Sequence, residues 1–344
     1  MLISIKSFGK RLDDMVKIGI PRALFYYYYY PLWRAFFNSL GLEVILSPQT
    51  NKTILDDGVR TTLSEACLPI KVFFGHVMAI ADQVDYLFVP RITRVEPKAY
   101  ICPKFMGLPD MLKARLDNLP ILIDTMVDAG REGTSRQCWV DCFQDVGSIF
   151  TEDKQLVDSS IKAAFEAQHR FKKRLTAGML LPDALEDMED SDISEVAAAS
   201  QTQQTLKIGL IGHPYNLYDP YISMNLIKKL SALGASVVTP ESVSDQEIEN
   251  KTRDLPKRLF WTLGKRMIGS ALSFCQDKEL DGLIYLTSFG CGPESLIEEM
   301  VTRWARQGNS LPLMALTIDE HTGEAGMITR LEAFTEMIKR RKKA

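Results

Sequence analysis

Three cysteines in this chain share one local design. Cys67 stands in EACLPIK, Cys102 in YICPKF and Cys291 in FGCGPES, each with a proline one or two positions later and a helical pattern beyond. Proline is favoured in the first turn of a helix, so each sulfur is expected at or near a helix N-terminus. Unpaired N–H groups and partial positive charge there favour a thiolate. Thiolates are soft ligands that select zinc, copper(I) or iron–sulfur. No histidine shares the Cys-Pro design to complete a tetrahedral zinc site, and three cysteines widely spread in sequence suit a cubane with one open iron. An open iron takes water, a partner's ligand or a substrate oxygen, the last being Lewis-acid and electron-donor chemistry together. A lone cysteine is by default a small buried hydrophobe, and it is the threefold repetition that argues against this here.

The other reactive side chains are less distinctive. Cys138 and Cys142 in RQCWVDCF and Cys275 in SFCQD precede no proline helix start and read as core or surface thiols, although all six cysteines serving a larger or double cluster is a minority alternative. His321 and Glu324 in DEHTGEAG, and His213 in GHPYN, are the candidate proton-handling residues, since histidine titrates near neutrality. The plainer reading of DEHTGEAG is a helix cap. His76 reads as a satisfied core histidine and His169 as solvated surface. Lys71 and Lys104 follow cysteines closely and can offset cluster charge, or are ordinary surface lysines. The run Tyr26–Tyr30 is expected to be explained by packing.

The elements that position these residues alternate between strand and helix. VKIGIPRA, LEVILSP, VDYLFVPR and PILIDT read as strands, separated by helical stretches including YYPLWRAFFNSLG and PDMLKARL. After an acidic, small-residue segment the pattern restarts with LKIGLIGHP, ASVVTP, DGLIYLTSF and PLMALTID, with one long helical section from Asp245 to Gln276. The fold class is therefore α/β: two Rossmann-like parallel-sheet domains with a helical connector. The boundaries are an N-terminal extension at 1–14, a first domain at 15–128, the connector at 129–182, an acidic linker at 183–205 and a second domain at 206–344. Ligands in such folds bind at the carboxyl ends of the strands, here in the cleft between domains.

Length and composition narrow the function. With 344 residues, 46% hydrophobic, the chain can bury one large core or two ordinary ones. A net charge of −3 provides no field to draw it to nucleic acid or an anionic membrane. No apolar stretch approaches a membrane span and the N-terminus has no signal-peptide core, so a cytoplasmic location is expected. Cytosolic cysteines are thiols or ligands rather than disulfides. No G-x-x-x-x-G-K-S/T loop and no strand-borne G-x-G-x-x-G dinucleotide fingerprint is present, so ATP hydrolysis would come from a separate protein.

Seven strings, IGIPRALFYYYYYPLWRAFF, EACLPIKVFFGHV, DYLFVPR, YICPKFMGLPD, IGLIGHPYNLYDPYISMNLI, LTSFGCGPESL and IDEHTGEAGMITRLEAF, resemble the acyl-CoA dehydratase activase-related proteins known as CoA protein activase or predicted nucleotide-binding proteins. These are distant relatives of 2-hydroxyacyl-CoA dehydratase subunits and double-cubane cluster proteins. The resemblance covers nearly the whole chain from Met15. It implies a 4Fe-4S cluster on Cys67, Cys102 and Cys291, a double-cubane cluster being the less favoured form. It also implies an ATP-dependent activator protein as electron donor, and a homodimer or pairing with a related subunit. The implied role is low-potential electron transfer or reductive dehydration chemistry. Two alternatives stay open: a non-catalytic accessory or electron-carrier protein, and a metal-free α/β binding protein.

Overall fold

Both halves of the chain open on a short apolar strand that is buried on both faces, and a parallel sheet is assembled around each. The computed structural model describes residues 15–130, 133–186, 205–307 and 311–343. The first half carries β1 (Lys17–Ile20), β2 (Glu43–Leu46), β3 (Tyr86–Phe88), β4 (Arg91–Arg94), β5 (Ile121–Ile123) and β6 (Met126–Asp128). The second carries β7 (Leu206–Ile211), β8 (Ala235–Val238), β9 (Gly282–Ser288) and β10 (Leu313–Ile318). One four-stranded sheet runs β2-β1-β3-β5 and the other β8-β7-β9-β10, with every pairing parallel. The two sheets thus share one strand order, and the α/β class with Rossmann-like sheets is the observed fold.

Parallel strands need crossover helices on both faces, which explains why β9 is buried at every residue from Gly282 to Ser288. β4 and β6 form a separate two-stranded parallel ribbon continuing the line of β3 and β5. The interruption falls at Val89–Pro90, where proline has no N–H to donate to the ladder. The long helical section expected from Asp245 to Gln276 is two helices, Asp245–Arg253 and Thr262–Gln276, parted by a stretch that contains Pro256. Proline removes a helical donor and disfavours helical geometry in the residue before it.

The connector is a pair of helices, Ser135–Phe150 and Lys154–Thr176, the latter capped by Asp153, whose carboxylate accepts from the N–H groups of Gln155 and Leu156. It packs on the helix Tyr26–Ser39 through an aromatic stack in which the Phe36 and Phe143 rings lie 4.2 Å apart. Tyr26, Tyr27 and Tyr30 are buried and Tyr28 and Tyr29 half-buried, because this helix lies between the first sheet, the connector and the second half. One continuous core links Ile18 and Phe37 with Ile208, Leu286 and Ile338. A satellite around Met267, Phe274 and Val301 lies on the other face of the second sheet. Residues 1–14, and 187–204 within the expected linker 183–205, lie outside the described residues; residues 183–186 belong to the helix Leu181–Glu186. Among the described residues no helix is long and apolar enough to cross a membrane.

Candidate functional site

Each of the three cysteines adjoins the start of a helix. Cys67 is the N-cap of Leu68–Ile80, with its carbonyl accepting from Ile70 and Lys71. Cys102 is the N-cap of the short helix Pro103–Met106. Cys291 immediately precedes Gly292–Gln307, just past the carboxyl end of β9. The segments meet closely: a Cβ on Gly290 would stand 3.7 Å from the Cys67 Cα, and Lys104 Nζ donates to the Glu65 carbonyl at 2.9 Å. The thiols lie within electrostatic reach of one another. Burial pushes the Cys67 thiol up to about 11, partly offset by the Lys104 ammonium, with Cys102 adding to the rise. The Cys291 thiol is raised by burial first, then by Glu294, Cys67 and Cys102.

Burial therefore outweighs the helix N-terminal field at Cys67 and Cys291. Both are neutral thiols at pH 7 in the free protein, and any metal must displace their protons. Among the described residues no group of three His, Cys, Asp or Glu side chains stands in position to hold one metal ion. A single zinc would draw its thiolates to about 2.3 Å from one point. A cubane spreads its ligands over the faces of a larger object and so does not require its thiols to converge on one point.

Behind Cys291 lies a buried polar layer. Glu294 is 1% exposed, and its Oε2 accepts from the Ser288 N–H at 2.8 Å and the Thr287 hydroxyl at 2.9 Å. Its Oε1 accepts from Asn216 Nδ2 at 3.3 Å, lies 3.4 Å from His213 Nε2, and the Cys291 thiol is a further hydrogen-bonding neighbour. Burial holds the Glu294 carboxyl up at about 7. The sequence reading passed over this residue; its one signal was an acidic side chain in the first helical turn after Cys291.

The three candidate proton-handling residues fall in two places. His213 is the N-cap of Pro214–Leu217 at the carboxyl end of β7, stacked on Tyr215 and 3.5 Å from the Tyr28 hydroxyl through Nδ1. Burial lowers it to about 3, so it is a neutral imidazole within the Glu294 layer. His321 is exposed after β10, with its backbone N–H on Asp319, and Glu324 is exposed in the first turn of Glu324–Lys343, paired with Lys229 at 2.6 Å. Their neighbour Glu320 reaches Lys71 on the helix that Cys67 caps.

The remaining residues are structural. His76 is fully buried between Ser47 and Thr50, at 2.8 and 2.9 Å. Cys138 and Cys142 are buried in the connector, Cys275 is half-buried, and His169 is exposed.

Fold and site together define an α/β protein of two like-ordered parallel sheets with a buried thiol and carboxylate site beside the carboxyl end of β9. Residues 17–243, more than half of the chain, match the model of the CoA enzyme activase uncharacterised domain, and the chain belongs to that family. The matched segment carries Cys67, Cys102 and His213, whereas Cys291 and Glu294 follow it. No curated protein matches the chain.

Proposed function

We propose that the protein holds an oxygen-sensitive 4Fe-4S cluster on Cys67, Cys102 and Cys291 and works within a dehydratase-type system, in low-potential electron transfer or reductive dehydration. Its electrons come from a separate ATP-dependent activator protein. The observation that carries this reading is the approach of three soft thiols, each beside a helix start, from segments up to 224 residues apart (291 − 67). When bound, such a cluster supplies one-electron transfer and a Lewis-acidic iron. The chain's own part is to furnish the thiolates, shield them from water, and keep a carboxyl group, Glu294, hydrogen-bonded beside Cys291.

The test is iron and acid-labile sulfide content after anaerobic reconstitution, with electron paramagnetic resonance after reduction, on the native protein and single cysteine variants. About four irons per chain, lost in Cys67→Ala, Cys102→Ala and Cys291→Ala but kept in Cys138→Ala, is the expected result. If reconstituted protein holds no iron, or the three variants keep it, the cluster reading fails and a metal-free binding protein replaces it.

A further inference from the structure

Arg22 lies two residues past β1 and Ser47 one residue past β2, side by side at the carboxyl ends of two paired parallel strands. The Arg22 N–H donates to Ser47 Oγ at 2.7 Å and its Nε to the Ser47 carbonyl at 3.2 Å. Ser47 is itself fully buried, its hydroxyl hydrogen-bonded to His76 Nδ1 at 2.8 Å. The guanidinium carbon stands 5.6 Å from the centre of the Tyr26 ring. Arg22 is thus held at its backbone, at Nε and over a ring, so most of the rotamer freedom of a surface arginine is already lost. Its side chain is half-buried, yet Nη1 and Nη2 have no partner among the described residues and both keep accessible surface.

Arg22 lines a cavity of about 220 Å³ between the helix Tyr26–Ser39, the loop after β2, the helix Leu181–Glu186 and the turn at Tyr218–Pro220. Parallel sheets bind ligands at the carboxyl ends of their strands, and this space is small for a nucleotide or a coenzyme. None of the three cysteines lines it. Guanidinium Nη groups only donate, so the ligand must accept, and their paired N–H groups match a carboxylate or a phosphate. Arg22 is the one cation among the described lining residues, which offsets a single negative charge. The Asp219 carboxyl is 2% exposed and taken up by the Thr50 and Tyr27 hydroxyls and the N–H groups of Tyr221 and Ile222, so it is closed to a ligand. Glu186 is exposed, where water screens it. The walls are otherwise largely aromatic or aliphatic, with Tyr26, Tyr27, Tyr30, Leu46 and Leu181 among them. Such walls suit an apolar carbon body, whereas a phosphate brings more charge and more oxygens than one guanidinium meets.

We propose that this cavity binds a small organic monocarboxylate, with its carboxylate on the Arg22 guanidinium and its apolar body among the tyrosines, at a site separate from the three cysteines. The proposal stands or falls independently of the cluster.

Benzoate and hexanoate are each titrated calorimetrically against the full chain, with benzamide and inorganic phosphate as controls, alongside Arg22→Met and Leu185→Trp, with folding checked by circular dichroism. Binding of at least one carboxylate to the native protein is expected, weakened about tenfold or more in Arg22→Met, with benzamide and phosphate weaker than that carboxylate by a similar factor. Should Arg22→Met fail to fold, Leu185→Trp decides: it narrows the cavity from the helix Leu181–Glu186 without altering charge, and the same loss is expected. No binding of either carboxylate, equal affinity in native and folded variants, or benzamide or phosphate binding as tightly as the carboxylates overturns the proposal.

Discussion

Lys71 and Glu320, 249 residues apart in sequence, form an ion pair at 2.5 Å that ties the helix capped by Cys67 to the loop after β10. Lys71 is 7% exposed and Glu320 18%, so removing one partner leaves the other poorly solvated. Lys71→Met is expected to cost about 2 kcal/mol in urea unfolding, below the usual figure for a fully buried pair because Glu320 keeps some contact with solvent. The double variant Lys71→Met/Glu320→Leu should recover most of that loss. Simple additivity of the two single changes would show that the pair contributes no coupling across the two halves.

Gly290 has φ +78° and sits against the Cys67 backbone, whereas a Cβ on Gly292, two residues on, would meet nothing within 4 Å. Gly290→Ala forces an L-residue into the left-handed region, at a cost of about 1 kcal/mol, although its Cβ would meet Cys67 only at ordinary contact distance. Gly292→Ala should leave stability unchanged or slightly raised. Thermal melts of both variants, together with iron content after reconstitution, check this. Equal behaviour of the two would mean that the left-handed backbone at Gly290 is not needed.

The parallel character of the sheets was legible because β1, β7 and β9 are apolar runs buried on both faces, a pattern that belongs to parallel sheets. β4 and β6 were missed because they are short and polar, held by partners such as Arg94 on Asp128 that lie 34 residues apart. The break at Asp254–Trp261 was signalled by Pro256, but the helical periodicity on either side hid it. At the site, the shared Cys-Pro design was readable from local sequence, whereas the protonation of the thiols was not. Burial decides the latter, and it comes from residues such as Tyr215 that only the folded chain brings near. The same is true of Glu294 itself, whose partners Asn216 and His213 come from a different βα unit.

His76 is neutral in the fold: burial, and secondarily the Arg22 charge, lower it from 6.5 to about 3. The unfolded chain therefore binds a proton that the folded chain refuses once the pH drops below 6.5. Stability from this group is fully present above 6.5 and is lost progressively as the pH falls toward 3. Between pH 7.5 and 5.5 the loss amounts to about 1.4 kcal/mol. Urea unfolding at the two pH values should show a steeper decline in the native protein than in His76→Gln by this amount. Parallel declines would mean that His76 titrates normally in the fold. His213, also lowered to about 3, contributes in the same direction to both proteins and drops out of the comparison.

Glu294 must accept on both oxygens, and this fixes what can replace it. Ser288 N–H and the Thr287 hydroxyl donate to Oε2, and Asn216 Nδ2 donates to Oε1; Asn216 is held in that orientation because its Oδ1 takes the Ser288 hydroxyl at 2.9 Å. A glutamine with its carbonyl toward Ser288 turns its NH₂ onto the Asn216 NH₂, leaving buried donors face to face. Glu294→Gln is therefore expected to cost about 2 kcal/mol in equilibrium unfolding despite its near-identical shape, whereas Glu298→Gln, one turn further along and half-buried, should be close to neutral. The same substitution also acts on the neighbouring thiol. After burial, Glu294 is the next cause holding the Cys291 thiol up, so removing its charge lowers that thiol's pKa and increases its thiolate fraction. Alkylation of Cys291 by iodoacetamide at pH 8, followed by peptide mass spectrometry, should be faster in Glu294→Gln than in the native protein, with Cys275 as the internal reference. An unchanged ratio of the two cysteines would show that the carboxylate does not act on the thiol.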